Sequence, residues 1–121
     1  ILISAADMGL LGKMDHDKLV AEMADNMEGL AGVTAESMAN EDAQNSKAFG
    51  FANATPGLKD VHLLVLSAND GLAPQTDALI KAIQAEGGHN IKSVHAATDH
   101  SWSDRRIFLE SEIIDWLSTL Q

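Results

Sequence analysis

The chain has 121 residues, enough for one domain with a buried core; 45% of them are apolar and only 4% aromatic. Its formal net charge is −10, from 18 acidic and 8 basic side chains, so it lacks the Lys/Arg footprint that nucleic-acid phosphates or an anionic membrane surface require. With no cysteine it has no disulfide, thiolate zinc site or thiol nucleophile, and no run approaches the roughly 18 apolar residues of a membrane span.

The acidity reads as a solvated surface, because no block of like charges occurs. The absence of cysteine fits a cytoplasmic protein and leaves secretion open. No basic n-region marks a signal peptide. The chain opens without Met inside an apolar β-type run, which is the expectation for a fragment of a longer protein.

Ile1 to Ala5 is an apolar run ended by Asp7 and Gly9, expected to be a buried strand. A helix is predicted over 15–30. Asp15 caps it, Leu19, Val20, Met23, Met27 and Leu30 recur at spacings of three and four, and Gly29 and Gly32 bracket its end. Thr34 is a second N-cap, opening a helix to about Phe49 on the small apolar positions Ala35, Met38, Ala39 and Ala43. Pro56-Gly57 predicts a turn.

Val61 to Leu66, interrupted only by His62, predicts a parallel strand covered on both faces. A loop from Ser67 to Pro74 leads into a helix burying Leu79, Ile80 and Ile83. Asp77 and Lys81 are spaced for an ion pair on its solvent side, and Gly87-Gly88 supplies the stop. Ile91 to Ala96 is the next strand and Ala97 to Ser101 the next loop. Ser103 or Asp104 caps a last helix to about Leu120, with Ile107, Ile113, Ile114, Leu117 and Leu120 as its buried stripe. Strand, helix, strand, helix is a βαβα unit with parallel neighbouring strands, so the class is α/β.

In open parallel sheets ligands bind beyond the carboxyl ends of the strands. Asp70 and His100 each follow such an end. Neighbouring loops would bring them together, the carboxylate fixing the imidazole tautomer and stabilising the imidazolium. Taken singly, Asn69-Asp70-Gly71 is a good turn sequence and His100 an ordinary loop histidine; it is the combination that points to chemistry. Asp99 is the rival acid, but adjacent side chains diverge, so it is assigned to shaping the loop. Asp104, Arg105 and Arg106 are assigned to caps and ion pairs. Trp102 is read as a loop anchor, with a pocket-lining role as the alternative. His16, His62, His89 and His95 lack metal-ligand spacing. A site built from His95, His100, Asp99 and Asp104 needs a coincidence of loop geometry and is set aside, so no metal is expected.

The run Leu64-Val65-Leu66-Ser67-Ala68-Asn69-Asp70-Gly71-Leu72-Ala73-Pro74 resembles the acid-bearing strand and loop of α/β-hydrolases. Thr98-Asp99-His100-Ser101-Trp102-Ser103-Asp104-Arg105-Arg106 is similar to that family's histidine loop, particularly in esterase- and peptidase-like bacterial members. The family order is serine, acid, histidine, and here the acid precedes the histidine with a helix between.

The resemblance covers residues 60–121 and extends back to residue 1. It implies the C-terminal part of a doubly wound α/β-hydrolase sheet. Residues 1–9 would be the strand after the nucleophile, 10–58 a helical cap shaping the acyl or leaving-group pocket, and 59–121 the βαβα unit. It further implies a serine hydrolase of carboxylic esters or amides, with Asp70 as acid, His100 as base and no cofactor. No Gly-x-Ser-x-Gly elbow occurs, and none of Ser4, Ser37, Ser46 or Ser67 lies on a strand-to-helix glycine turn. Nucleophile and oxyanion donors are therefore expected upstream, and the chain alone is expected to be inactive. The expected partners are a small ester or amide, the upstream half of the same protein, and a second copy paired through the exposed edge of the first strand. The alternative is a non-catalytic small α/β binding or assembly module.

Overall fold

Five consecutive buried residues, Leu63–Ser67, form the central strand of the computed structural model, which describes residues 1–121. The sheet has three parallel strands in sequence order: β1 (Leu2–Ile3), β2 (Leu63–Ser67) and β3 (Ile91–His95). The register pairs Leu2 with Val65, and runs unbroken from Leu63 opposite Ile91 to Ser67 opposite His95. Six helices complete a mixed α/β fold. The chain forms two compact units, Ile1–Ala6 with Thr55–Gln121, and Asp7–Ala54.

In the first unit, alternation along β2 sends Leu64 and Leu66 to one face, where they join Ala68, Ala96, Trp102, Leu109 and Trp116 in a single apolar cluster. The first strand is shorter than expected. Ser4 takes a left-handed φ of +44°, which ends the extended backbone, and Ile1 and Ile3 stay exposed at the sheet edge. Likewise β2 begins at Leu63 rather than Val61, whose amide is held in a turn by the Leu58 carbonyl.

The crossover helix (Ala73–Ala85) buries Leu79 and Ile83 and carries Pro74 in its first turn, where the missing N–H costs nothing. Gly87, at φ +92°, then lets its own amide and that of Gly88 close on the Gln84 and Ile83 carbonyls. Asp77 and Lys81 are both exposed and form no ion pair, as befits a contact worth little in water.

The last helix (Arg106–Ser118) corrects the expected stripe. Leu109 and Trp116 are buried and Ile113 half-buried, whereas Ile107 is 84% and Ile114 65% exposed, and Leu117 and Leu120 are exposed too. Apolar residues lie on more than one side of this helix, and the side bearing the large indole packs on the sheet. Arg105 stands at its N-cap without a side-chain bond, so neither Ser103 nor Asp104 caps it.

In the second unit a short helix (Met8–Leu11) starts at Asp7, whose Oδ1 accepts from the Gly9 amide. The next (His16–Asp25) is capped by Asp15 as expected, but it ends before Met27 and Leu30 because the Asn26 side chain bonds the Glu22 carbonyl. Thr34 and Ser37 form a reciprocal capping box for the third (Ala35–Phe49). Leu19, Met23 and Ala39 make this unit's core. A further helix (Phe51–Leu58), whose residues from Thr55 on belong to the first unit, contains Pro56, so the predicted Pro-Gly turn is wrong. The proline forfeits only the bond to the Ala52 carbonyl, and the helix ends soon afterwards. No helix is long and apolar enough to cross a membrane.

Candidate active site at the carboxyl edge of the sheet

The β2–β3 register sends the two loops that follow Ser67 and His95 off side by side, and the Asn69 amide ties them by bonding the Thr98 carbonyl at 3.0 Å. Asp70 and His100 meet there. His100 Nδ1 lies 2.9 Å from Asp70 Oδ2, while Asp70 Oδ1 accepts from the Leu72 amide at 3.0 Å. The Asp70 side chain is 6% exposed and the His100 side chain 63%.

Burial alone would push the Asp70 carboxyl up. Hydrogen bonds from the Leu72 amide, His100 and Ser4 outweigh it and hold the group below the ordinary carboxylate value. Asp70 is therefore ionised at neutral pH and can only accept. Nδ1 of His100 therefore donates to it, and Nε2 has no hydrogen-bond partner.

The histidine loop is braced at several points. Thr98, 7% exposed, donates through Oγ1 to Asp104 Oδ1. Asp99 accepts the Ser103 amide on Oδ1 at 2.9 Å, and bonds from the Ser103 backbone and side chain hold its carboxyl below the ordinary value. Asp99 thus shapes the loop and does not bond His100. Trp102 is 1% exposed, an anchor rather than a pocket lining. Arg105 stands 3.9 Å from Asp104 on the surface.

Two features escape sequence reasoning. Ser4 accepts from the Trp102 indole Nε1 at 3.0 Å, between residues at opposite ends of the chain. His95 has both ring nitrogens engaged, Nδ1 with Ser67 Oγ and Nε2 with Asn69 Oδ1, each at 2.9 Å. Asn69 accepts through its carbonyl oxygen, so His95 donates from Nε2 and receives the Ser67 hydroxyl at Nδ1. Ser67 is 5% exposed on the central strand, so this string locks a ring and offers no accessible nucleophile. Only the strand register, which sequence alone does not fix, reveals that Ser67 faces His95.

No protein-family model, curated protein or solved structure matches the chain. Two shallow clefts flank the loop, one of about 400 Å³ lined by Ser103 to Phe108 and one of about 180 Å³ lined by His95, Ala96, Ala97, Arg105 and Phe108. Neither includes the buried Asp70 or the exposed His100.

Proposed function

We propose that Asp70 and His100 are the acid and base of a Ser–His–Asp acyl-transfer site that cleaves a carboxylic ester or amide, its serine lying outside these 121 residues. The observation that carries this reading is the 2.9 Å bond from Nδ1 of the exposed His100 to a buried, ionised Asp70, which leaves Nε2 without a hydrogen-bond partner. In such a site the serine hydroxyl gives its proton to Nε2 as it attacks the substrate carbonyl. Asp70 stabilises the imidazolium that results, and Nε2 then returns the proton to the leaving alkoxide or amine. The α/β-hydrolase resemblance of the two loops supports the same reading, with the helical residues 10–58 as its cap. The chemistry calls for no cofactor.

The test uses the longest natural polypeptide that contains these residues. A fluorophosphonate should label one serine upstream of Ile1, and His100→Ala should abolish labelling and reduce turnover by on the order of 10⁴-fold. The 121-residue chain alone should hydrolyse no p-nitrophenyl ester above buffer. Labelling that persists in the His100→Ala variant, or that falls on a serine within the chain, would reject the assignment.

A further inference from the structure

Asp42 lies within the third helix of the second unit (Ala35–Phe49), where Ala35, Met38, Ala39 and Asp42 recur at the spacing of a buried stripe. Ala39, just before it on that stripe, is fully buried. The position calls for an apolar residue, and aspartate is also among the poorer helix formers. Yet Asp42 is 3% exposed, and neither of its carboxylate oxygens has a hydrogen-bond partner. An ionised group so placed loses its water without compensation, and burial pushes its carboxyl up. Buried charges are ordinarily paired, so this one marks the place of a partner that the chain does not itself supply.

The surroundings narrow what that partner is. Asp42 lines a cleft of about 230 Å³ together with Met8, Met23, Met38, Glu41 and Phe49, all of them in the second unit. Met23 is buried and Met8 and Met38 half-buried, while Glu41 and Phe49 are exposed and leave the cleft open to solvent. An apolar wall with one buried polar group is the usual build of a small-molecule site, and the small volume calls for a small occupant. Methionine is unbranched and polarisable, so this wall can shift to let a ligand reach the carboxylate. A hard metal ion needs several oxygen ligands, and no group of three or more acidic or histidine side chains stands here to provide them. Both Asp42 oxygens lack a donor, which selects among organic cations. A primary ammonium brings N–H donors along with its charge, whereas a quaternary ammonium brings charge alone.

We propose that this cleft binds a small primary amine with an apolar body, its ammonium on Asp42 and its carbon chain against the methionines. The inference concerns residues 7–54 alone and does not depend on the reading of Asp70 and His100 as acid and base. The charge that destabilises the free chain is the group that gives the site its specificity. A neutral side chain at position 42 would pack better and recognise less.

The full 121-residue chain with ¹³C-labelled methionine methyl groups tests this at pH 7, with n-hexylammonium as the probe. Met8, Met23 and Met38 should shift saturably, and Met14 and Met27, which do not line the cleft, should stay still. Asp42→Asn keeps the shape of the side chain and should weaken binding by roughly tenfold or more, the scale of a lost hydrogen bond to a charged group. Hexan-1-ol has the carbon chain without the charge, and hexyltrimethylammonium has the charge without an N–H. Each should bind more weakly than n-hexylammonium by a similar factor. The quaternary ion also measures any general attraction of cations to a chain of net charge −10. Equal affinity for hexan-1-ol, or unchanged affinity in Asp42→Asn, would reduce the site to an apolar groove and overturn the proposal. Equal affinity for the quaternary ion, or no saturable shift at the three methionines, would overturn it as well.

Discussion

Thr98 and Asp104 close the loop that carries His100, the Thr98 hydroxyl donating to Asp104 Oδ1 across its neck. Between them the Trp102 amide donates to the Asp99 carbonyl and the Ser103 amide to the Asp99 carboxylate. The loop is thus fixed from within, and His100 can remain exposed without being mobile. Thr98→Val keeps the shape of the buried side chain and removes the donor. It should cost about 1 kcal/mol in chemical denaturation, because the carboxylate partner is solvated. Amide exchange should quicken over residues 98–104 and stay unchanged in β2. Uniform quickening throughout the sheet would show that the bond supports the whole unit rather than the loop.

Acid unfolding should report Asp70. Its carboxyl lies below the ordinary value in the folded chain. The stability it contributes is therefore complete above the unfolded pKa of about 3.9 and is lost as pH falls through the lowered folded value. Asp70→Asn should remove that part of the acid limb in urea titrations run from pH 6 downwards. A parallel acid limb in the variant would mean that the bonds seen at Asp70 do not favour its charged form.

The sign reverses for His16. Its hydrogen bond to Glu36, at 2.9 Å, raises the imidazole pKa. The stabilisation is then fully present below the ordinary value of about 6.5 and disappears as pH rises through the raised folded value. Both groups are exposed, so the effect is small. An NMR titration of His16 should move towards the ordinary value in Glu36→Gln. No movement would assign the raised value to other neighbours, Asp15 and Asp17 among them.

Asp42 is the reverse of a stabilising charge. It is 3% exposed, neither carboxylate oxygen has a hydrogen-bond partner, and burial pushes its carboxyl up. Stability should fall as pH rises from the unfolded carboxylate value to the raised folded one, and stay lower beyond it. Asp42→Leu, facing Met8, Met23, Met38 and Phe49 in one cleft, should be more stable than the parent by about 1–3 kcal/mol at pH 7. The gain should shrink at pH 3, where the acid is already neutral. A variant destabilised at pH 7 would show that the carboxylate has a partner in solution.

Much of this was legible in the sequence where the signal is local. Asp15 and Thr34 cap helices and Gly87 closes another, because each acts within a turn of its own position. Asp70 and His100 could be singled out because loops after adjacent parallel strands must converge. What stayed hidden depends on partners distant in sequence. Periodicity in the last helix could not choose between the side with Ile107, Ile114 and Leu117 and the side with Leu109 and Trp116, since only the sheet decides which is covered. Ser4 sits at an unremarkable point in the sequence, and its importance comes from an indole at the far end of the chain.

The unbroken pairing from Leu63–Ile91 to Ser67–His95 has a consequence for how the chain tolerates insertions and deletions. The separation of the two site loops is set by strand phase, and the contour length of the crossover between them does not enter. An extra residue beside exposed His89, before β3 begins, lengthens a surface connection at small entropic cost and leaves the phase alone. One extra residue between Ile91 and His95 would displace everything beyond it by about 3.3 Å and turn each side chain to the opposite face. His100 would then leave Asp70 although every residue of both loops was unchanged. The pair works like a vernier, indifferent to coarse changes in chain length and intolerant of the smallest slip between two strands.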